Sequence, residues 1–283
     1  MINENSTKEE IMEAGSNGLI LTDCDGTALQ YASNELRADK EVVLEAVKKY
    51  GSELEYASDE LRNDRDLIVL EAMKQDGLAL EYASEELRGD RDVILVAVKK
   101  EGRVLKYASE ELRGDKKVVL AAVKQNGWAF KYASEELRGD KEVVMAAVKE
   151  NGWALQYASK ECQEDREVVI AAVTVSRSGY ALEYASNELR GDKEVVLAAV
   201  EQNGFTLMYA NEELRGDRDV VLEAVRRDGF ALKYASEELK GDREVVLTAV
   251  KQDWFAFRYV SEALKFEIVE CWANSIVKET KND

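Results

Sequence analysis

The sequence predicts an all-α fold, an α-solenoid of nine two-helix repeats of about 25 residues, with atypical capping segments at both ends. Three observations lead there. Tyrosines stand at 31, 56, 82, 107, 132, 157, 184, 209, 234 and 259, with gaps of 25, 26, 25, 25, 25, 27, 25, 25 and 25, and a fixed period of that size marks a repeat array. Between the tyrosines, apolar residues recur at helical rather than alternating spacing. The 283 residues include 17 glycines and no proline, so glycine must supply the breaks between helices.

In chain order, residues 1–25 are expected to form an N-terminal cap, with KEEIMEAG covering the first repeat. Inside it, LILTDCDGT resembles the nucleophile motif of haloacid-dehalogenase-type phosphatases, which would make Asp23 the nucleophile and Asp25 the acid/base. Gly26, however, lies one period before Gly51, and ALQYAS is repeat sequence. No strand–helix alternation follows that could build the sheet this chemistry needs. A calcium loop fails too, because such loops place oxygen ligands at alternating positions over about twelve residues. An aspartate-rich turn into the first repeat is the expectation.

The array itself spans residues 26–258 as a single domain. In the repeat around YASEELRGDKKVVLAAVKQNGWAFKYAS, Asp115 is a natural N-cap. Val118, Val119, Ala122 and Val123 follow as one helical stripe, widened by Leu120. Gly127 is expected to end that helix as a left-handed C-cap. Ala129, Phe130, Tyr132, Ala133 and Leu137 mark a second helix, ended by Gly139 before Asp140 caps the next. Neither helix can bury its apolar face alone, so the units must stack.

Two repeats are irregular. RDLIVLEAM carries one extra residue, and the sixth unit replaces ELRGD with ECQED and lengthens its turn to TVSRSGY. Cys162 then occupies a leucine column and Glu164 a glycine column; a local bend is one reading and a partner-specific feature or reactive thiol the other, although a cysteine in that column should be buried and inert. Residues 259–283 form the expected C-terminal capping helix and tail. There Trp254 has already replaced the turn glycine, and LKFEIVECWANSIVK replaces the LRGD segment.

Charged columns suggest a ladder. Glutamate precedes the leucine column at 35, 60, 86, 111, 136, 161, 188, 213 and 238, and Lys or Arg follows the capping Asp in all nine units, from Lys40 to Arg243. A cation at a helix start opposes the helix dipole and needs an acid nearby. Rungs between that glutamate column and the Lys/Arg column are the expectation.

The position after the turn glycine changes along the chain. It reads Thr27, Ser52, Leu78 and Arg103, then Trp128, Trp153, Tyr180, Phe205, Phe230 and Phe255. Packing over the turn is one reading. A partner-binding aromatic stripe is the other, since aromatics anchor interfaces, and these six are the candidate partner-binding residues. The neighbouring column (Glu81, Lys106, Lys131, Gln156, Glu183, Met208, Lys233) should face solvent.

Arg-Gly-Asp, familiar as an adhesion signal, occurs at Arg88, Arg113, Arg138, Arg190 and Arg215. The same slot holds Arg37-Ala-Asp, Arg62-Asn-Asp and Lys240-Gly-Asp. The tripeptide therefore reads as a helix junction, in which Arg ends one helix, Gly turns the chain and Asp caps the next.

Composition excludes several functions. There is no histidine, hence no Ser-His-Asp or Cys-His pair and no imidazole metal site. The net charge of −18 argues against nucleic acid, including a repeat that reads RNA base by base. Cys24, Cys162 and Cys271 have neither disulfide nor zinc spacing, so a cytoplasmic or other reducing compartment is expected. No signal peptide or membrane span is legible.

The consensus LRGDREVVLAAVKQNGWALEYASEE resembles the repeat family filed as domain of unknown function 4116, over roughly residues 26–260. Its members occur in protists, algae, large viruses of such hosts and some intracellular bacteria, where several are secreted effectors. The resemblance implies no catalytic residue and no cofactor. The reading is a non-enzymatic protein–protein interaction scaffold or a subunit of a larger assembly, without catalytic, cofactor-binding or metal-ligating residues and without membrane insertion. The alternatives are a passive spacer, or a secreted effector that binds a host protein.

Overall fold

The computed structural model of the chain describes residues 29–65, 70–75, 77–175 and 179–268. Two compact units divide it, Met1–Ala146 and Ala147–Asp283, with the boundary inside the helix Lys141–Glu150. The fold class is all-α, an α-solenoid of tandem repeats, and no strand occurs among the described residues. The N-terminal cap with Asp23 and Asp25, the extra residue of the second unit and the lengthened turn at 176–178 lie outside the described residues.

In the first unit, the repeat that begins at Asp115 has a ten-residue helix, Lys116–Gln125. Val118, Val119, Ala122 and Val123 are fully buried along it, each valine contributing about 1.5–3 kcal/mol of apolar burial. The predicted second helix has two pieces, a 3-10 helix Gly127–Tyr132 and a single α-turn Glu135–Arg138. The break falls at Ser134, which is extended (φ −59°, ψ 159°) and whose Oγ accepts from the Leu137 amide at 3.3 Å. Its own amide is spent elsewhere, donating to the Arg113 carbonyl of the preceding repeat at 2.9 Å. A serine that caps the next turn and ties back to the last repeat cannot also continue a helix.

The turn glycine is needed for room rather than for handedness. Asn126, extended at φ −155°, caps the long helix, and Gly127 simply opens the 3-10 helix, so the expected left-handed C-cap is absent. A Cβ on Gly102 would lie 2.3 Å from the Ala122 carbonyl oxygen of the next repeat. The glycine column is where one repeat's backbone touches the next repeat's helix.

The second unit repeats the plan. Lys193–Gln202, Gly204–Tyr209 and Glu212–Arg215 form one repeat, and Arg218–Arg227 and Gly229–Tyr234 lead the next. Cys162 is buried in its leucine column, and Glu164 closes its turn in ordinary right-handed backbone (φ −95°). Gln163, in the arginine column, donates to the Leu155 carbonyl at 3.0 Å, just as Arg37 Nε donates to Leu29 at 3.1 Å. Nothing of the capping segment past Ile268 is described; before it, a helix runs over 262–268 with Leu264 buried.

The ladder exists, but its acid is the capping aspartate and not the glutamate column. In the first unit Lys40 meets Asp64 at 2.5 Å, Arg65 meets Asp90 at 3.1 Å, and Arg91 and Lys116 meet Asp115 and Asp140, both at 2.7 Å. In the second, Arg166–Asp192, Lys193–Asp217 and Arg218–Asp242 follow at 3.0, 2.7 and 3.2 Å, and Arg243 ends on Glu267 at 2.9 Å. Each aspartate divides its oxygens. Asp115 Oδ1 accepts the Lys117 and Val118 amides at 2.8 and 3.0 Å, while Oδ2 accepts Arg91 Nε. The Arg91 hydrogen bond, with those two amides, holds the Asp115 carboxyl below its usual range despite burial. Glu35 and Glu161 each turn back to their own amide and capping serine, which lowers both carboxyls, and Glu86 accepts Asn63 Nδ2 of the preceding repeat at 3.1 Å. None of these three glutamates is paired with the cation that follows a capping aspartate.

Candidate partner-binding surface

The position after the turn glycine opens the 3-10 helix, one residue past an extended cap. Asn126, Asn151 and Asn203 use Oδ1 to accept the amides of Trp128, Trp153 and Phe205 at 3.0, 3.1 and 3.0 Å. Asp228 does the same for Phe230 and Asp253 for Phe255, both at 2.9 Å. The rings are thus presented from one fixed backbone geometry per repeat.

Their surroundings differ. In the first unit Ser52, Leu78 and Arg103 are exposed and Trp128 keeps 38% of its surface. In the second unit each aromatic of the column except Phe255 meets the tyrosine of the following repeat. Trp153 lies 6.1 Å from Tyr184 and stacks on Tyr180 at 5.9 Å, and Tyr180 is edge-on to Tyr209 at 6.2 Å. Phe205–Tyr234 and Phe230–Tyr259 continue at 5.0 and 6.0 Å. Phe255, with no ring partner among the described residues, is 69% exposed, beside Trp254 at 68%. Four of the six candidates are therefore half-buried between repeats, and two are open.

The neighbouring column faces solvent at most positions, with Gln156 and Met208 half-buried. Lys106, Lys131 and Lys233 lie over their own tyrosine rings at 4.2, 4.7 and 5.3 Å. Glu81 accepts the Tyr107 hydroxyl at 2.5 Å. Burial first, then the hydrogen bond to Glu183, pushes the Tyr209 phenol up to about 12. The tyrosines that define the period are thus the receivers of the aromatic column, which the sequence did not reveal. The signal available was their constant offset of four residues from it, in the same 3-10 helix.

The Arg-Gly-Asp slot is consumed by the junction. Gly114 is a right-handed cap at φ −95°, and both oxygens of Asp115 are engaged as described above. No described helix is long and apolar enough to cross a membrane. No group of three or more Cys, Asp or Glu side chains suited to a metal ion occurs among the described residues.

The deciding comparison is with families. The sequence model of a family described as domain of unknown function (DUF4116) matches residues 19–62, 39–88, 66–113, 90–138, 115–163, 140–176, 165–215 and 217–265. The chain belongs to the DUF4116 family. Most of these matches span about two periods, and together they cover nearly all of residues 19–265. A DUF4116 match therefore takes in one inter-repeat junction, with its Ser–Arg backbone bond and its Asp rung. No curated protein and no solved structure matches the chain.

Proposed function

We propose that this DUF4116 chain is a non-enzymatic scaffold that binds protein partners through its turn aromatics. The observation that carries the reading is the exposed pair Trp254 and Phe255, at 68% and 69%, at the end of a column in which Trp153, Tyr180, Phe205 and Phe230 are already ring-packed and Trp128 is open. Monomeric surfaces seldom leave such aromatics uncovered side by side, and aromatics dominate interface energetics. The rest of the repeat is accounted for by folding. Valine and leucine columns make the core, Asp and Ser cap helices, and the turn glycine seats the next repeat.

Affinity capture from the native source, read by mass spectrometry, tests it. A W128A/W153A/F205A variant and a W254A/F255A variant should each reduce captured partner about tenfold while keeping the helical circular dichroism. Capture unchanged by both variants refutes the reading. A second reading, a passive spacer, is favoured by the Trp153, Tyr180, Phe205 and Phe230 ring contacts, which explain those four residues without a partner. It expects no stable partner at all.

A further inference from the structure

In the second unit a groove of about 380 Å³ runs between the turn Glu212–Arg215 and the segment from Lys233 to Lys240. Tyr234, the ring on which Phe205 packs edge-on at 5.0 Å, lines it together with Arg215, Lys233 and Ser236. Two of its cations are left without a hydrogen-bonded acid. Arg215 Nη2 makes only a long ion pair, 3.8 Å, with the exposed Glu212, and its buried Nε has no acceptor, as in Arg62, Arg88, Arg113 and Arg138. Lys233 is held over the Tyr234 ring at 5.3 Å, with no carboxylate at ion-pair distance among the described residues. The third cation, Lys240, is already paired with Glu237 at 2.7 Å. Ser236 Oγ accepts the Leu239 amide at 3.3 Å, which leaves its proton free to donate.

We propose that this groove takes an acidic side chain of the protein partner, with an apolar neighbour of that side chain lying against Phe205 and Tyr234; the inference rests on the protein-binding reading above. A carboxylate fits the unspent donors. Arg215 offers the outer edge of a planar guanidinium, Lys233 a point charge and Ser236 a hydroxyl. The net charge of −18 does not forbid it. At physiological ionic strength screening acts over about 8 Å, so distant carboxylates weigh little; of the two in the lining, Glu237 is paired with Lys240 and Glu212 lies against Arg215, which leaves Lys233 as the groove's uncompensated charge. A partner that is basic overall and carries one acidic anchor satisfies both the groove and the field around it.

The chain supplies its own tolerated variants. Gln163 stands in the column of Arg215 and Met208 in the column of Lys233. An R215Q/K233M protein therefore keeps residues this fold already accepts, and its circular dichroism melt should match that of the unaltered chain. The probe is a capped peptide of alternating phenylalanine and glutamate, titrated by calorimetry into the full chain, with its glutamine counterpart as the uncharged control. The expected result is binding of the glutamate peptide, weakened about tenfold or more in R215Q/K233M, with the glutamine peptide at least tenfold weaker on the unaltered chain. No binding at millimolar peptide, equal binding by the variant, or equal binding of the glutamine peptide overturns the proposal. So does an oligothymidine that binds more tightly than the peptide and is lost in the same variant. If native-source capture survives R215Q/K233M but is lost in W128A/W153A/F205A, the groove assignment falls and the scaffold reading stands.

Discussion

The two units share a core and differ at one edge. Both bury the same valine and alanine columns and run the same cation-to-Asp rungs, whose lengths overlap (2.5–3.1 Å in the first unit, 2.7–3.2 Å in the second). At the turn, however, the first unit presents Ser52, Leu78, Arg103 and an open Trp128, whereas in the second Trp153, Tyr180, Phe205 and Phe230 each meet a tyrosine one repeat on and only Phe255 is open. Columns that only hold repeats together are kept constant. The column that both packs and faces solvent varies along the chain, as does its exposed neighbour.

Four experiments test that division of labour, and glycine gives the largest effect. A Cβ on Gly204 would stand 2.2 Å from the Ala224 carbonyl, and one on Gly102 2.3 Å from that of Ala122, so G204A and G102A should each cost about 2–3 kcal/mol in urea denaturation. G114A, in the Arg-Gly-Asp slot that Ala38 already fills, should stay within about 0.5 kcal/mol. Equal costs for the two glycine types would refute the close-approach account. Next come the rungs. D115A removes both a cap and a rung and should cost about 1–2 kcal/mol, whereas D115N, which still caps, should cost less than about 1 kcal/mol.

The aromatic edge follows. F205A should lose about 0.5–1.5 kcal/mol beyond its buried area through the Tyr234 pair, read as faster amide exchange in the second unit. L78A in the first unit should leave exchange there nearly unchanged, and matching losses would erase the proposed difference between the units. The smallest effects are in pH. Asp115 and Asp140 have lowered carboxyls, so their stabilisation is full above the unfolded value of about 3.9 and fades as pH falls through the folded one. Tyr209 is shifted the other way, to about 12, so its contribution holds below about 10 and fades between 10 and 12. Absorbance titration of the phenols should show a late-ionising tyrosine that Y209F removes.

Most of the fold was legible because the repeat shows each structural demand many times over. A single Asp before a helix is a weak signal; an Asp at that point in every repeat, each followed by a cation, is a strong one. What misled was chemistry shared between neighbours. The capping Asp has two oxygens, and the sequence does not say that the second serves the preceding repeat, whereas the glutamate column displays an acid in every unit. Ser134 was hidden in the same way, since YAS reads as helix until its amide is seen bonded to Arg113. At the candidate surface the aromatic column was visible and its tyrosine receivers were not. Arg215 and Lys233 were missed because they lie in different columns and meet only across a junction.

The bond from Ser134 to Arg113 has a counterpart at Ser109 and Arg88, both near 3 Å. Cutting the chain after Ser109 and rejoining it at Glu135 would bring the same letters, YAS and EELRGD, together without a seam. Such an excision removes one whole period, and the new neighbours inherit a matched amide, carbonyl, cation and carboxylate. Repeat number is thus a quantity this chain can gain or lose in whole steps, each copy being its own splice site.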